Sequence, residues 1–190
     1  MSLLSIFRSK PQDKIAAQLY FKIAEHARDP AFYTDFGVAD ELEGRFEVLA
    51  LHLFLLMRRL KTGSEETADQ RADLAQRLFD TFFKAMDDVH RQLGVGDMSV
   101  ARKVRAMAEA FYGRAAAYDE ALHEDADSLA IARSLSRNVY GIDSDLDEPP
   151  ITSKRLAGYV SASALCLDEQ TDMVLLAGNV DFPAPKEMSS

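Results

Sequence analysis

Residues 46–57 read Phe-Glu-Val-Leu-Ala-Leu-His-Leu-Phe-Leu-Leu-Met, with only Glu47 and His52 interrupting the apolar side chains. Arg58, Arg59 and Lys61 follow at once. The run is too short to cross a bilayer, which takes about 20 apolar residues. A helix that is apolar nearly all round belongs in a core. This stretch therefore predicts a buried central helix. Asp40 and Glu43 stand three residues apart ahead of it, the spacing of a capping box, so the helix is expected over residues 41–61.

Outward from that centre, helical periodicity continues in both directions. Ile15, Leu19, Ile23 and Ala27 recur every four residues and predict a first helix over residues 11–28. Asp29 and Pro30 can open a short helical turn. Leu74, Leu78, Phe82, Met86, Val89 and Leu93 give one face of a helix over residues 68–93, with Gly94 placed to stop it in a left-handed conformation. Ser99 can cap the next helix, over residues 100–122. That helix carries Val100, Val104, Met107, Phe111, Ala115, Tyr118 and Leu122 on one face. A further helix is expected over residues 125–140, with Gly141 as its stop. Residues 143–150 are acidic and end in two prolines, so they read as an exposed linker. A last helix starts at Thr152, and residues 173–176 form a short apolar piece. The pattern predicts an all-α, single-domain bundle of six or seven helices over residues 11–178. Flexible segments are expected at residues 1–10 and 179–190.

Composition narrows the function classes. The 190 residues carry 22 Lys+Arg and 31 Asp+Glu, a formal net charge of −9. That balance disfavours a general nucleic-acid binder, because neutralising phosphates needs clustered cations. One cysteine, Cys166, leaves no internal disulfide and no cysteine zinc site. It sits on an apolar helical face and reads as an inert thiol. Residues 1–10 place Leu3, Leu4, Ile6 and Phe7 ahead of Arg8 and Lys10, the reverse of a secretory signal. They suit either a frayed terminus or a weak membrane-surface contact.

Few motifs carry chemistry. The loop Gly94-Val-Gly-Asp97 lies between helices and lacks a P-loop ending, so it reads as a helix stop and start. A dimetal carboxylate site needs Glu and Glu-x-x-His pairs on facing helices. Glu47, His52, Asp87 and His90 are the candidates for such an enzyme. Only Asp87 and His90 have the i, i+3 spacing, and Glu47 and His52 point about 140° apart on a helix. His52 reads instead as a hydrogen-bonded core histidine. Arg102, Arg105 and Glu109 form a charged stripe, with Lys103, Tyr112, Gly113 and Arg114 beside it. Arginine and tyrosine are favoured at protein–protein contacts, so this helix is the candidate partner face.

Several segments taken together resemble one family. They are Gly37-Val38 with Asp40; Gly44-Arg-Phe-Glu47 running into Leu51-His52; and Phe79 with Met86-Asp-Asp88 and Arg91. Gly94-Val-Gly-Asp97 follows, with Ser99-Val100. Then come Lys103, Ala108-Glu-Ala-Phe-Tyr-Gly-Arg114, Tyr118 and Arg137-Asn-Val-Tyr-Gly141. In order and spacing, residues 19–141 resemble the ubiquinol–cytochrome c chaperone family, assembly factors of the cytochrome bc1 complex. The resemblance implies a non-enzymatic helical chaperone with no metal or cofactor. Mitochondrial relatives bind newly made cytochrome b near the ribosome exit with a small partner subunit. The absence of a basic, acidic-poor leader suggests a bacterial member, cytoplasmic and peripheral at the inner membrane. Its partner-binding surface would be Gly94, Asp97, Arg102, Arg105, Glu109, Tyr112 and Arg114, beside an exposed apolar groove. The client would be cytochrome b or an assembly intermediate.

Overall fold

A computed structural model describes residues 11–123, 127, 129–142 and 148–185. Eight α-helices and one 3-10 turn account for the regular structure, and no strand occurs among the described residues. The order is α1 (Pro11–His26), α2 (Ala31–Thr34), α3 (Leu42–Lys61), a 3-10 turn (Glu65–Thr67), α4 (Ala68–Gln92) and α5 (Asp97–Ala121). After these come α6 (Ala130–Asn138), α7 (Ile151–Asp168) and α8 (Asp172–Leu176).

Helix α3 is the centre, as its composition requires. Ala50 to Leu56 are all buried, and α1, α4, α5 and α7 pack around it. The four-residue rhythm of α4 buries Leu74, Leu78, Phe82 and Met86, and Phe83 joins them. Only Val100, Phe111 and Tyr118 of α5 are fully buried. That helix covers α3 and α4 with one edge and leaves a broad face outside.

Local signals were right in kind and sometimes wrong in detail. Asp40 and Glu43 do not make a capping box. The residue before α3 is Glu41, and no side chain caps the helix. Asp40 instead pairs with Arg45 at 2.6 Å. Ser99 does not cap α5, which begins at Asp97 behind Gly96 because Ser99 and Val100 already donate their amides to the Gly96 carbonyl. Asp29 accepts the Ala31 amide at 2.9 Å and so opens α2. Gly94 ends α4 at φ +77° in a Schellman arrangement: the Val95 amide donates to His90 O and the Gly94 amide to Arg91 O.

Residues 1–10, 143–147 and 186–190 lie outside the described residues. Residues 179–182 lie against the body. Val180 is buried, and Lys22 donates to the Asn179 side chain at 2.9 Å. Gln170 exchanges two hydrogen bonds with the Asp181 backbone.

Candidate functional site

Three polar assemblies are built on this frame, and their burial separates structural roles from the candidate site. At the α3/α7 centre, the His52 Nδ1–H donates to the Val48 carbonyl at 2.7 Å. A carbonyl can only accept, so Nε2 of the neutral ring accepts from the Tyr159 hydroxyl at 2.6 Å. The same hydroxyl then accepts from His26 Nε2 at 2.8 Å. Burial pushes His52 down to about 3, so it stays neutral. Phe182 packs on both imidazoles, with ring centres 5.1 and 5.0 Å away. His52 is thus a satisfied core histidine.

At one end of the bundle, Asp172 ties four segments together. Its carboxylate accepts from Arg59 at 2.7 Å, from the Ser64 amide at 3.1 Å and from the Thr67 hydroxyl at 2.5 Å. Arg71 approaches it at 3.2 Å. Both arginines also satisfy carbonyls left open at helix ends, Leu167 O for Arg59 and Leu60 O for Arg71. The Thr67 hydrogen bond first, and then Arg59 and the Ser64 amide, outweigh desolvation and hold the Asp172 carboxyl at about 2. Gly63, at φ +126°, lets the loop pass: a Cβ there would lie 2.6 Å from Asp172 Oδ1. Sequence reading missed this knot, because Asp172 is more than a hundred residues from its arginines.

The third assembly faces solvent. A groove of about 530 Å³ runs between the start of α3, the end of α4 and the middle of α5, lined by Leu42, Phe46, Val89, Met107 and Ala110 among others. On its wall Glu47 receives Arg114 at 2.6 Å. Burial pushes the Glu47 carboxyl up to about 7 against the pull of Arg114. His90 Nδ1 and Arg114 Nε are buried without a hydrogen-bond partner among the described residues. Glu43, Lys103 and Arg114 line the groove beside these apolar side chains.

The predicted partner residues fall into two sets. Arg102, Arg105, Glu109 and Tyr112 lie along the outward stripe of α5 and are all exposed. Arg105 pairs with Glu109 at 3.0 Å in solvent, and Tyr112 packs against Phe79 in a tilted pair with ring centres 5.3 Å apart. Gly94 and Asp97 are exposed at the head of this stripe, where Asp97 pairs with Arg91. Arg114 is the exception. Nine residues beyond Arg105, it lies about 180° round the helix, so it turns to the groove and to Glu47.

The dimetal set does not assemble. Glu47 goes to Arg114, His52 to Val48 and Tyr159, Asp87 to Arg91 at 2.5 Å, and His90 to the Met107 sulfur at 3.4 Å. No cluster of three or more His, Cys, Asp or Glu suited to a metal ion occurs among the described residues. Cys166 is half-buried, with Gln170 and the Asp181 carbonyl near its sulfur.

Comparison with known proteins places this architecture. The pattern of one family, described as ubiquinol-cytochrome C chaperone, matches residues 34–182. The chain belongs to the ubiquinol–cytochrome c chaperone family. The match extends past Gly141 through α7 and α8, so the segment after Gly141, which the sequence resemblance left outside, is part of the family domain. The chain is 28% identical over 151 residues to ubiquinol-cytochrome c reductase complex assembly factor 1 of Drosophila melanogaster. That match covers 79% of this chain and 56% of the relative, so the chain spans little more than half of the relative's length. The crystal structure of the Cbp3 homolog from Brucella abortus is similar at 35% identity and a TM-score of 0.78, over 98% of this chain and 99% of that one. Among the described residues no helix is long and apolar enough to cross a membrane.

Proposed function

We propose that this chain is an assembly chaperone of the cytochrome bc1 complex, acting by binding rather than catalysis. It holds newly made cytochrome b, or an assembly intermediate, on the outer side of α5. Family membership supplies the assembly role. The observation that carries the site is the pairing on one helix of an exposed Arg/Glu/Tyr stripe with an apolar groove. Arg102, Arg105, Glu109 and Tyr112 give charge-assisted and aromatic contacts, and the groove takes apolar side chains of the client. Gly94 and Asp97 border the same surface, and Arg114 acts from the groove wall. The working place is the cytoplasmic surface of the inner membrane.

The test is affinity capture of the full chain from native membranes. Cytochrome b co-purifies with the wild type. The Arg102→Glu/Arg105→Glu/Tyr112→Ala variant, whose changes lie on solvent, loses it while keeping its circular dichroism. Intact bc1 assembly and unchanged cytochrome b levels after deletion of the gene would end this reading. Peripheral membrane contact through residues 3–10 is tested by vesicle flotation with and without those residues.

A further inference from the structure

A hollow of the described surface lies where the chain enters the bundle. It holds about 260 Å³ between Gln12 and Ile15 of α1, Asp69, Asp73 and Leu74 at the start of α4, and Leu176 of α8. That is smaller than the roughly 300–1,000 Å³ of small-molecule sites, and it suits a few side chains better than a separate ligand. Its floor is apolar: Leu74 is buried, and Ile15 and Leu176 are half-buried. Met173 stands one turn before Leu176 on the same side of α8, extends this floor and is 72% exposed.

The surround is acidic when every charge is counted. Residues 11–15, 65–77 and 172–176 hold Asp13, Glu65, Glu66, Asp69, Asp73 and Asp172 against Lys14, Arg71 and Arg77, a net of 3 − 6 = −3. Arg59, which Asp172 binds, brings this to −3 + 1 = −2. Asp13 and Asp73 share Arg77, whereas Asp69 is exposed in the first turn of α4 with no ion-pair partner among the described residues. The ten residues ahead of α1 are the complement. They carry Arg8 and Lys10 and no acid, with Leu3, Leu4, Ile6 and Phe7 just before the cations. Phe7 is four residues from Pro11, at most about 14 Å in extended chain, so it is held near the hollow. A segment tethered at the rim has a local concentration on the order of millimolar, which favours it over a free partner of the same chemistry.

We infer that this hollow is a docking site for the chain's own residues 3–10, with Ile6 and Phe7 on the Ile15/Leu74/Leu176 floor and Arg8 and Lys10 against Asp69 and its acidic surround. Docking shelters the apolar side chains from water. It also withholds them from a membrane, because the same side chains cannot lie in the hollow and in a bilayer at once. An anionic surface competes for them, since it offers both an apolar phase and negative charge. This second part rests on the reading of residues 3–10 as a membrane contact; the docking itself does not.

The test is a cross-link in the full chain. Ser5→Cys is paired with Gln70→Cys, which lines the hollow, or with Ala17→Cys, each combined with Cys166→Ser. Ala17 is exposed and turned about 160° from Ile15 on α1. It lies within the roughly 20 Å that six extended residues span. In buffer, a mild thiol–disulfide couple closes the 5–70 pair faster than the 5–17 pair by about tenfold or more. The chain contains no tryptophan, so Phe7→Trp introduces a lone fluorophore. Its emission without vesicles lies to the blue of free indole. Adding Arg8→Glu/Lys10→Glu, which touches no residue of the described fold, moves it back. Equal closure at 70 and 17, or free-indole emission from Phe7→Trp, would overturn the docking. Phosphatidylcholine vesicles containing phosphatidylglycerol slow closure of the 5–70 pair, and the closed protein floats with them about tenfold less than its reduced form. Equal flotation of the two forms would overturn the sheltering. If the wild type itself does not float, the membrane reading fails, and the cross-link still decides the docking.

Discussion

The Asp172 knot and the outer face of α5 use the same side chains to opposite ends. In the knot, Arg59 and Arg71 are 5% and 4% exposed, every hydrogen bond is directed, and one carboxylate ties together four pieces of chain. On α5, the Arg105–Glu109 pair is 82% and 68% exposed and lies within one helix. Burial decides what a charge does. Out of water, an ion pair is costly to break, because the surviving partner is left uncompensated. In water, the same pair contributes a few tenths of a kcal/mol, and its groups remain available to a partner.

Asp172→Ala breaks that comparison hardest. It leaves two buried guanidinium groups without their carboxylate and should cost about 3–5 kcal/mol in urea unfolding. Because this carboxyl is held well below its ordinary range, its contribution is complete above the ordinary carboxylate pKa. It is lost as pH falls toward about 2, and the variant should lack that acid loss.

Glu47 has the opposite sign. Its folded pKa is raised to about 7, so its contribution is complete below about 4.5 and fades as pH rises through 7. The fall amounts to at most about 3 kcal/mol. The difference in stability between wild type and Glu47→Gln, measured from pH 4 to pH 8, should decline over that window; a flat difference would contradict the burial argument. Tyr159→Phe removes the hydroxyl shared by His26 and His52 and should cost about 1–3 kcal/mol, because a buried ring nitrogen loses its partner. Arg105→Ala sharpens the other end of the scale. It should change stability by less than about 0.5 kcal/mol while weakening capture of cytochrome b.

The groove lies between these extremes. Glu47 and Arg114 are mostly buried and paired, yet they border a cavity open to solvent. Arg114 could have been placed from sequence alone, since nine residues from Arg105 is two and a half helical turns. Next to Tyr112 in sequence, it nonetheless faces the groove and Glu47. The misread caps have a different origin. Asp40 and Ser99 carry the right chemistry, but Arg45 takes the first, and the Gly96 carbonyl starts α5 two residues before the second. Gly44 shows the same kind of limit. Its backbone passes so close to the Ala39 carbonyl that a Cβ would sit 2.0 Å from the oxygen, a contact no local pattern announces.

By itself the sequence determined the class of fold, the central place of α3, the inward stripe of α5, that of α4 except its last member Leu93, which is 61% exposed, and the helix stop at Gly94. Those follow from periodicity and local chemistry, which act over one or two turns. Tertiary structure decided which charges are buried: Arg59 and Arg71 on Asp172, Arg114 on Glu47, and Tyr159 between two histidines. It also decided that residues 179–182 close over the core. Pairing across a hundred residues depends on how helices stack, and stacking is set by the summed packing of many apolar side chains. No single motif encodes it.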